Sequence, residues 1–319
     1  MANSDELRSL TKAFSGLGVD EKELISTLGN WNSQQRQSFR KGSRDIFLED
    51  ERQFERWDDR HVLQLRQEFL RLKEAIVLWT MHPWERDARL LKESLHKGPQ
   101  YNVLVEIAGT RSSEELLGAR RAYHSLFNQS IEEDVAVHVR GPKRKLLIAL
   151  LSSYRYEGPK VNEQIAEFEA KALLDAIMEG GAVAGLVENE ELIRILSTRS
   201  KLHLKATYKH YKEISGNYLD EDIDGADGDS ILVKEAVLCL CSPQTYFSQV
   251  LNASLRCDVD EMSKDGVTRV IVTRADHADM KEIKEEYRNK YGVDLAKRVE
   301  DVANGNYRDF LLALIKRGD

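Results

Sequence analysis

Apolar side chains recur along most of the chain at the three-to-four-residue spacing that favours α-helices. Ser4 is a residue type preferred at helix N-caps, and the apolar positions behind it are Leu7, Leu10, Ala13 and Phe14. Asp20 and Glu23 then form a capping-box-like start for a helix that carries Leu24, Ile25 and Leu28 on its inner face. We therefore expect helices on both sides of the segment Phe14–Asp20.

The same spacing predicts helix over Arg36–Phe47 and again over Val62–Trp79. Between them, Leu48–Arg60 is densely charged, which is typical of a solvated helix face or a loop.

Similar segments recur in order along the chain. A Thr-Arg pair opens a helix at Gly109–Leu116, Ser197–Ser200 and Val272–Asp276, and Gly29–Asn32 takes the same place without that pair. An apolar helix then closes each unit, at Ala75–Trp79, Leu146–Leu151, Ala236–Cys241 and Phe310–Ile315. The recurrence predicts an all-α protein built from four repeats.

Composition narrows the class of protein. Of 319 residues, 41% are hydrophobic, 32% are charged and only five are proline, which fits a soluble helical protein. The formal net charge of −7 disfavours a nucleic-acid partner. The same charge repels an anionic lipid surface unless a divalent cation bridges the two.

The lack of a secretory signal and the spacing of the cysteines predict a cytoplasmic protein. The first residues, Met1–Asp5, lack the basic and apolar regions of a secretory signal, and the longest apolar runs are too short to span a bilayer. Cys239, Cys241 and Cys257 have no CxxC spacing and fit free thiols in a reducing compartment.

The segment Phe14–Asp20 contains two glycines, Gly16 and Gly18, one residue apart. Such a loop can turn its carbonyl oxygens inward. Calcium accepts about six to eight oxygen ligands, so these carbonyls need an acidic side chain and an outside group to complete the shell.

These residues resemble the annexin family, and the plant subgroup in particular. Leu10–Glu21 is similar to the annexin calcium loop, although Val19 stands where the family usually has Thr. Trp79–Ala88 resembles the segment joining the first two repeats, and Gly305–Leu312 resembles the family's ending. The likeness covers essentially the whole chain.

The resemblance implies a curved disc of four annexin-type repeats of about five helices each, with calcium loops on the convex face. The repeats are expected at residues 1–82, with an insertion at about 48–60, and at 83–154, 164–242 and 243–319, with a linker at 155–163. In each active loop, backbone carbonyls, a distant acidic side chain and a phospholipid head group hold Ca²⁺.

In the first repeat, this pattern assigns Ca²⁺ to the carbonyls of Phe14, Gly16 and Gly18 and to the Glu68 carboxylate. Glu68 is chosen by its register with the closing helix. Asp58 is the rival ligand by raw spacing, and Glu21 is a candidate for a weaker neighbouring ion.

The other loops depart from the family pattern. The second repeat has His96–Gln100 and His138 at the corresponding places, and the third has Ala184–Val187, so neither fits a calcium cradle. In the fourth, the candidates for a loose cation are Asp258, Asp260 and Glu261.

An acidic run, Asp220–Asp229, matches part of an EF-hand loop, but Ile231 replaces the closing glutamate. A solvated acidic turn is the first interpretation of this run. A weak calcium site at Asp224 or Asp227 is the second.

The expected function is reversible, calcium-dependent binding to acidic phospholipid membranes by a protein that is not an enzyme, with self-association on the bilayer as an additional expectation. One alternative is a helical-repeat interaction module for actin or signalling partners, with a vestigial calcium site. Ile193-Arg194-Ile195 resembles a tripeptide proposed for actin binding in plant annexins. A peroxidase or nucleotide hydrolase is the weakest alternative, since the chain lacks a P-loop motif.

Overall fold

A computed structural model describes residues 17–49, 55–179, 183–223, 227–256 and 259–317. These residues contain 18 α-helices, one 3₁₀ helix and one two-stranded sheet, so the predicted all-α class is confirmed. The chain forms two compact units, one from Met1–Thr80 with Phe247–Asp319 and the other from Met81–Tyr246.

The first unit combines the two ends of the chain. Its N-terminal part contains the helices Glu21–Leu28, Ser33–Gly42 and Asp59–Thr80. Its C-terminal part contains five helices, the first of which begins just before the unit boundary: Pro243–Ser254, Glu261–Arg274, Asp279–Tyr291, Leu295–Val302 and Gly305–Lys316.

The second unit contains two successive groups of five α-helices. The first group is Pro83–His96, Tyr101–Thr110, Ser113–Phe127, Ile131–His138 and Lys143–Leu151. The second is Glu163–Glu179, Glu190–Thr198, Lys201–Ser215, Leu219–Asp222 and Gly228–Cys241, with the 3₁₀ helix Val183–Glu188 after its first member. Among the described helices, none is both long and apolar enough to cross a bilayer.

Helix starts follow the sequence signals closely. The Asp20 side chain accepts a hydrogen bond from the Glu23 N–H at 3.1 Å, as the predicted start requires. Ser112 and Glu115 form a reciprocal capping box at the first Thr-Arg motif. These caps satisfy backbone donors that a helix cannot pair internally.

The arginine of each Thr-Arg motif forms an ion pair inside its own unit. The pairs are Arg111 with Asp87 at 2.7 Å, Arg199 with Glu169 at 2.5 Å and Arg274 with Asp279 at 3.4 Å. The repeated motif therefore has a structural role, because it ties each helix start to an acidic side chain.

The predicted helix through Phe47 is wrong beyond Gly42. The helix Ser33–Gly42 ends there, and Phe47–Glu49 pairs antiparallel with Glu55–Trp57 across the segment expected to be an insertion. The reason is aromatic packing, since the Phe47 and Trp57 rings lie 4.5 Å apart between centroids. Phe47 also joins a buried cluster, made up of Val19, Leu24, Trp31, Phe39 and Ile46.

Cys239 and Cys241 are buried free thiols on the helix Gly228–Cys241. Burial raises the pKa of Cys239 well above its usual range and that of Cys241 to about 12. Both thiols therefore stay protonated at neutral pH, which is typical of packing residues.

Candidate calcium and membrane site

Backbone hydrogen bonds anchor the described end of the glycine loop. The Leu17 N–H donates to the Val302 carbonyl at 3.1 Å, and the Asn304 N–H donates to the Leu17 carbonyl at 2.7 Å. Leu17 and Ala303 thereby form a short parallel bridge. The loop is fixed where it leads into the helix Glu21–Leu28.

Gly18 occupies a position that requires glycine. Its φ of +76° lies in the left-handed region that side-chain-bearing residues adopt at a cost. A Cβ at this position would lie 2.9 Å from the Tyr307 Cβ and 3.1 Å from the Asn304 carbonyl oxygen. Both the backbone conformation and the available space therefore exclude a larger residue.

Glu68 extends from the helix Asp59–Thr80 to this loop. The residue is 3% exposed, and its Oε2 accepts a hydrogen bond from the Gly18 N–H at 2.5 Å. The structure thus brings together two of the predicted site residues, which are 50 positions apart in the chain.

Two cations approach the same carboxylate. Arg71 Nε donates to Glu68 Oε2 at 2.6 Å, and Lys264 Nζ lies 3.8 Å from Glu68 Oε1. Arg71 also donates to Asp265 Oδ1 at 2.9 Å. The two carboxylates and the two cations of this cluster balance in formal charge.

Arg71 remains charged in this setting. Burial alone would lower its pKa, but the adjoining Glu68 carboxylate outweighs burial and holds the pKa of Arg71 above its usual value. Removing one member of such a buried ion pair destabilises the fold, because the remaining charge is left without compensation.

The remaining first-repeat candidates are Phe14, Gly16, Glu21 and Asp58. Phe14 and Gly16 lie outside the described residues. Glu21 Oε2 accepts a hydrogen bond from the Asn306 amide at 3.3 Å. Asp58 accepts the Arg60 N–H at 2.9 Å at the start of the helix Asp59–Thr80, and bonds from Arg60 lower the pKa of Asp58 to about 2. The described contacts thus place Glu68 at the loop and Asp58 at a helix start.

Farther along the chain, two of the acidic candidates serve as helix caps. Asp227 accepts the Asp229 and Ser230 N–H groups at 2.8 and 3.0 Å. Asp260 accepts the Ser263 N–H at 2.7 Å. Asp224 and Asp258 lie outside the described residues, and Glu261 is the first residue of its helix.

The described ends of the acidic run, residues 220–223 and 227–229, belong largely to helices. Asp220 and Asp222 lie in the short helix Leu219–Asp222, where they accept hydrogen bonds from Tyr208 and Tyr211 respectively. The next helix begins at Gly228, and Ile231 within it offers no closing carboxylate.

Sequence reasoning missed the cationic side of the Glu68 cluster. The spacing of Glu68 and Arg71 is that of two neighbours on one helix face, so this pair could have been found. Lys264 and Asp265 give no such signal, since Arg71 and Asp265 lie 194 positions apart.

Comparisons with known proteins identify the family of this chain. A family model described as Annexin matches residues 86–150, 168–231 and 258–314, which together exceed half of the chain. Annexin D4 of Arabidopsis thaliana is 54% identical over 325 residues, and the match covers 100% of each chain. The chain belongs to the annexin family. Its resemblance to plant annexins is thereby confirmed.

Solved structures support the annexin fold. Chicken annexin V is 26% identical to this annexin, and the TM-score is 0.68. The match covers 99% of this annexin and 97% of the chicken chain. Calcium-bound annexin (Sm)1 is 19% identical with a TM-score of 0.65, covering 98% and 89% respectively, and shows the fold alone.

The annexin family is known for calcium-dependent phospholipid binding. The family-model match begins at residue 86, after Gly18 and Glu68. For that N-terminal part, the full-length match to Annexin D4 carries the family assignment.

Proposed function

We propose that this annexin binds acidic phospholipid membranes reversibly, through a calcium ion held by its first loop. The observation that carries the proposal is the 2.5 Å contact between the Gly18 N–H and the buried Glu68 carboxylate. Calcium needs loop carbonyls and an acidic side chain within one shell. The proposed ligands are the carbonyls of Phe14, Gly16 and Gly18 and the carboxylate of Glu68.

Calcium supplies the attraction between two negative partners. The protein carries a formal charge of −7, so it and an anionic bilayer repel each other. An ion shared by Glu68 and a lipid phosphate neutralises part of both charges. The lipid oxygen also completes a shell that the protein fills only in part.

The cations beside Glu68 weaken this calcium site. An incoming ion is repelled by Arg71 and Lys264, whose nitrogens lie 2.6 and 3.8 Å from the Glu68 oxygens. Unit charges about 4 Å apart interact by roughly 4 kcal/mol at an effective dielectric of about 20. Calcium affinity is therefore low in solution and rises when a lipid phosphate adds negative charge.

Vesicle co-sedimentation of a Glu68→Gln variant tests the assignment. We expect calcium-dependent pelleting with phosphatidylserine vesicles to be lost, because the carboxylate ligand is gone. Glu74→Gln is the matched control, since Glu74 is exposed on the same helix. It should pellet as the unchanged protein does.

The Glu68→Gln variant also leaves Arg71 without this carboxylate, which destabilises the fold by about 3–5 kcal/mol if Asp265 does not compensate. The double variant Glu68→Gln/Arg71→Met removes both charges and serves as a second test. Normal calcium-dependent pelleting of a folded double variant would show that Glu68 is not the ligand.

A second candidate function is a calcium-independent interaction module. The buried Arg71–Glu68 pair favours it, because Arg71 places a positive charge where the calcium acid lies. Such a module binds its protein partner equally in calcium and in chelator. Pull-down of that partner under both conditions separates the two functions.

The tripeptide Ile193-Arg194-Ile195 gives no support to an actin partner. The two isoleucines are 5% and 0% exposed, and Arg194 donates to Glu169 at 2.8 Å and to Glu191 at 2.6 Å. These residues serve the core and its ion pairs. An actin-binding module would need another surface.

A further inference from the structure

His96, Asp134 and His138 form a compact group in the unit Met81–Tyr246. His96 ends the helix Pro83–His96, while Asp134 and His138 lie one turn apart on the helix Ile131–His138. His96 Nε2 is 3.1 Å from Asp134 Oδ2, and His138 Nδ1 is 3.0 Å from Asp134 Oδ1. One ligand atom from each residue lies within 4.8 Å of the others.

The group occupies the second-repeat counterpart of the Gly18–Glu68 site. His96 begins the segment aligned with the glycine loop, and His138 takes the place of the acidic ligand. Two imidazoles suit a borderline transition metal such as Zn²⁺, whereas calcium prefers oxygen ligands.

The observed spacing suits a small tetrahedral ion. Ligand atoms bound to Zn²⁺ at about 2.0–2.1 Å lie roughly 3.3 Å from one another. His138 Nδ1 lies 3.0 Å from Asp134 Oδ1, close to this value, and His96 Nε2 lies 3.1 Å from the other oxygen of the same carboxylate, Oδ2. The ion can therefore enter with small side-chain adjustments.

Asp134 is held in place by neighbours that do not belong to the ligand set. Its side chain is 2% exposed, and it accepts hydrogen bonds from the Tyr123 hydroxyl and from Lys92, whose Nζ lies 2.9 Å from Oδ2. The carboxylate is therefore an oriented anion, and such outer partners fix ligands in metal sites.

The histidines, in contrast, reach solvent. Their side chains are 36% and 37% exposed, so water can fill a fourth coordination position. The next repeat contains a similar Tyr-to-Asp bond, from Tyr211 to Asp222 at 2.9 Å. This similarity indicates that the Tyr123–Asp134 bond is part of the repeat's framework and that the histidines are the addition.

We propose that His96, Asp134 and His138 bind a divalent transition metal of the Zn²⁺ class, separately from the calcium site. Asp134 Oδ1 is the carboxylate ligand, because Lys92 and Tyr123 hold Oδ2. Lys92 is the competing cation. Its Nζ also lies 5.4 Å from the centroid of the Phe127 ring, so the Lys92 ammonium keeps a second neighbour when the metal binds Asp134.

Zinc titration of the purified full chain, without calcium or lipid, tests the proposal. Competition with a chromophoric chelator measures the affinity of the chain for Zn²⁺, the one metal added. We expect His96→Ala and His138→Ala each to weaken Zn²⁺ binding by at least about tenfold. His124→Ala is the matched control, because His124 is exposed on the helix Ser113–Phe127 of the same repeat, and it should bind as the unchanged protein does.

Two further measurements sharpen the outcome. Lys92→Met should tighten Zn²⁺ binding, since it removes the competing charge while the Tyr123 hydroxyl still orients Asp134. Co²⁺ should give the visible absorption of a tetrahedral site, and His138→Ala should abolish it. Equal Zn²⁺ affinity in His96→Ala, His138→Ala and the unchanged chain would overturn the proposal, as would a Co²⁺ spectrum that the His138→Ala variant retains.

Discussion

Two cations of this annexin, the buried Arg71 and the half-buried Lys201, are stabilised in different ways. Arg71 faces the carboxylates of Glu68 and Asp265, which hold its pKa above the usual value in spite of burial. Lys201 instead donates to the backbone carbonyl of Arg111 at 2.8 Å, and burial lowers the pKa of Lys201 from 10.5 to about 8, with the Arg155 guanidinium adding to the shift. A carbonyl dipole does not replace a counter-ion, so Lys201 is the costlier charge at neutral pH.

The depressed pKa of Lys201 gives stability a defined pH dependence. Between about pH 8 and 10.5 the unfolded chain binds more protons than the folded chain, so the contribution of Lys201 to stability rises with pH over this range. Lys201→Met removes the charge. The variant should be more stable than the unchanged protein at pH 7 by up to about 3 kcal/mol, and this advantage should disappear as the pH rises to 10.5.

Urea unfolding at several pH values measures this difference. Lys205→Met is the matched control, because Lys205 is exposed on the same helix. Its pH profile should follow that of the unchanged protein. A Lys201→Met advantage that stays constant across the range would contradict the assignment.

Among the elements, the hairpin Phe47–Glu49/Glu55–Trp57 has the clearest link to the proposed calcium loop. Phe47 packs in the same buried cluster as Val19, which directly follows Gly18. The Phe39 and Phe47 rings meet edge to face at 5.6 Å. Through this shared cluster, the hairpin supports the conformation of the loop.

Phe47→Ala should lower the free energy of unfolding by about 3 kcal/mol, because it leaves a cavity in this cluster. Leu48→Ala is the control, since Leu48 is 41% exposed on the same strand and should change stability by less than about 0.5 kcal/mol. Urea unfolding compares the two. Similar losses in both variants would show that the hairpin does not contribute to the core through Phe47.

Local signals predicted the helices well and the hairpin poorly. Asp20, Ser112 and Glu115 act through hydrogen bonds within three residues, so the sequence alone could identify them. The pairing of Phe47 with Trp57 depends on partners ten positions apart across a charged segment. The described contacts place Glu68 at the loop and Asp58 at a helix start, and the choice of Glu68 as the calcium ligand stays a prediction. Arg71 lies three residues after Glu68 on one helix and could have been found, whereas Lys264 reaches Glu68 only through tertiary structure and had no local signal.

For the molecule as a whole, net charge and the proposed calcium site act together. At −7, the protein gains little from an anionic surface until calcium is present. Binding linkage is reciprocal, so a lipid that tightens calcium binding must be bound more tightly in calcium by the same factor.

Calcium titrations with vesicles of increasing phosphatidylserine content test this coupling. The calcium concentration for half-maximal pelleting should fall as the anionic fraction rises, since lipid phosphate offsets the repulsion from Arg71 and Lys264. Neutral phosphatidylcholine vesicles are the control. A half-maximal concentration independent of lipid charge would rule out the proposed bridging.

The bridge between Leu17 and Ala303 also has a consequence for synthesis on the ribosome. Met81–Tyr246 is one continuous segment, so all its parts are available before the last quarter of the chain is made. The unit that contains Gly18 and Glu68 needs residues from both termini. At about 5–20 residues per second, those N-terminal residues wait many seconds for Lys264 and Ala303 to be translated. During that interval the Glu68 carboxylate exists without its C-terminal neighbours, and the hydrogen bonds between Leu17 and residues 302–304 form only after those residues have been translated.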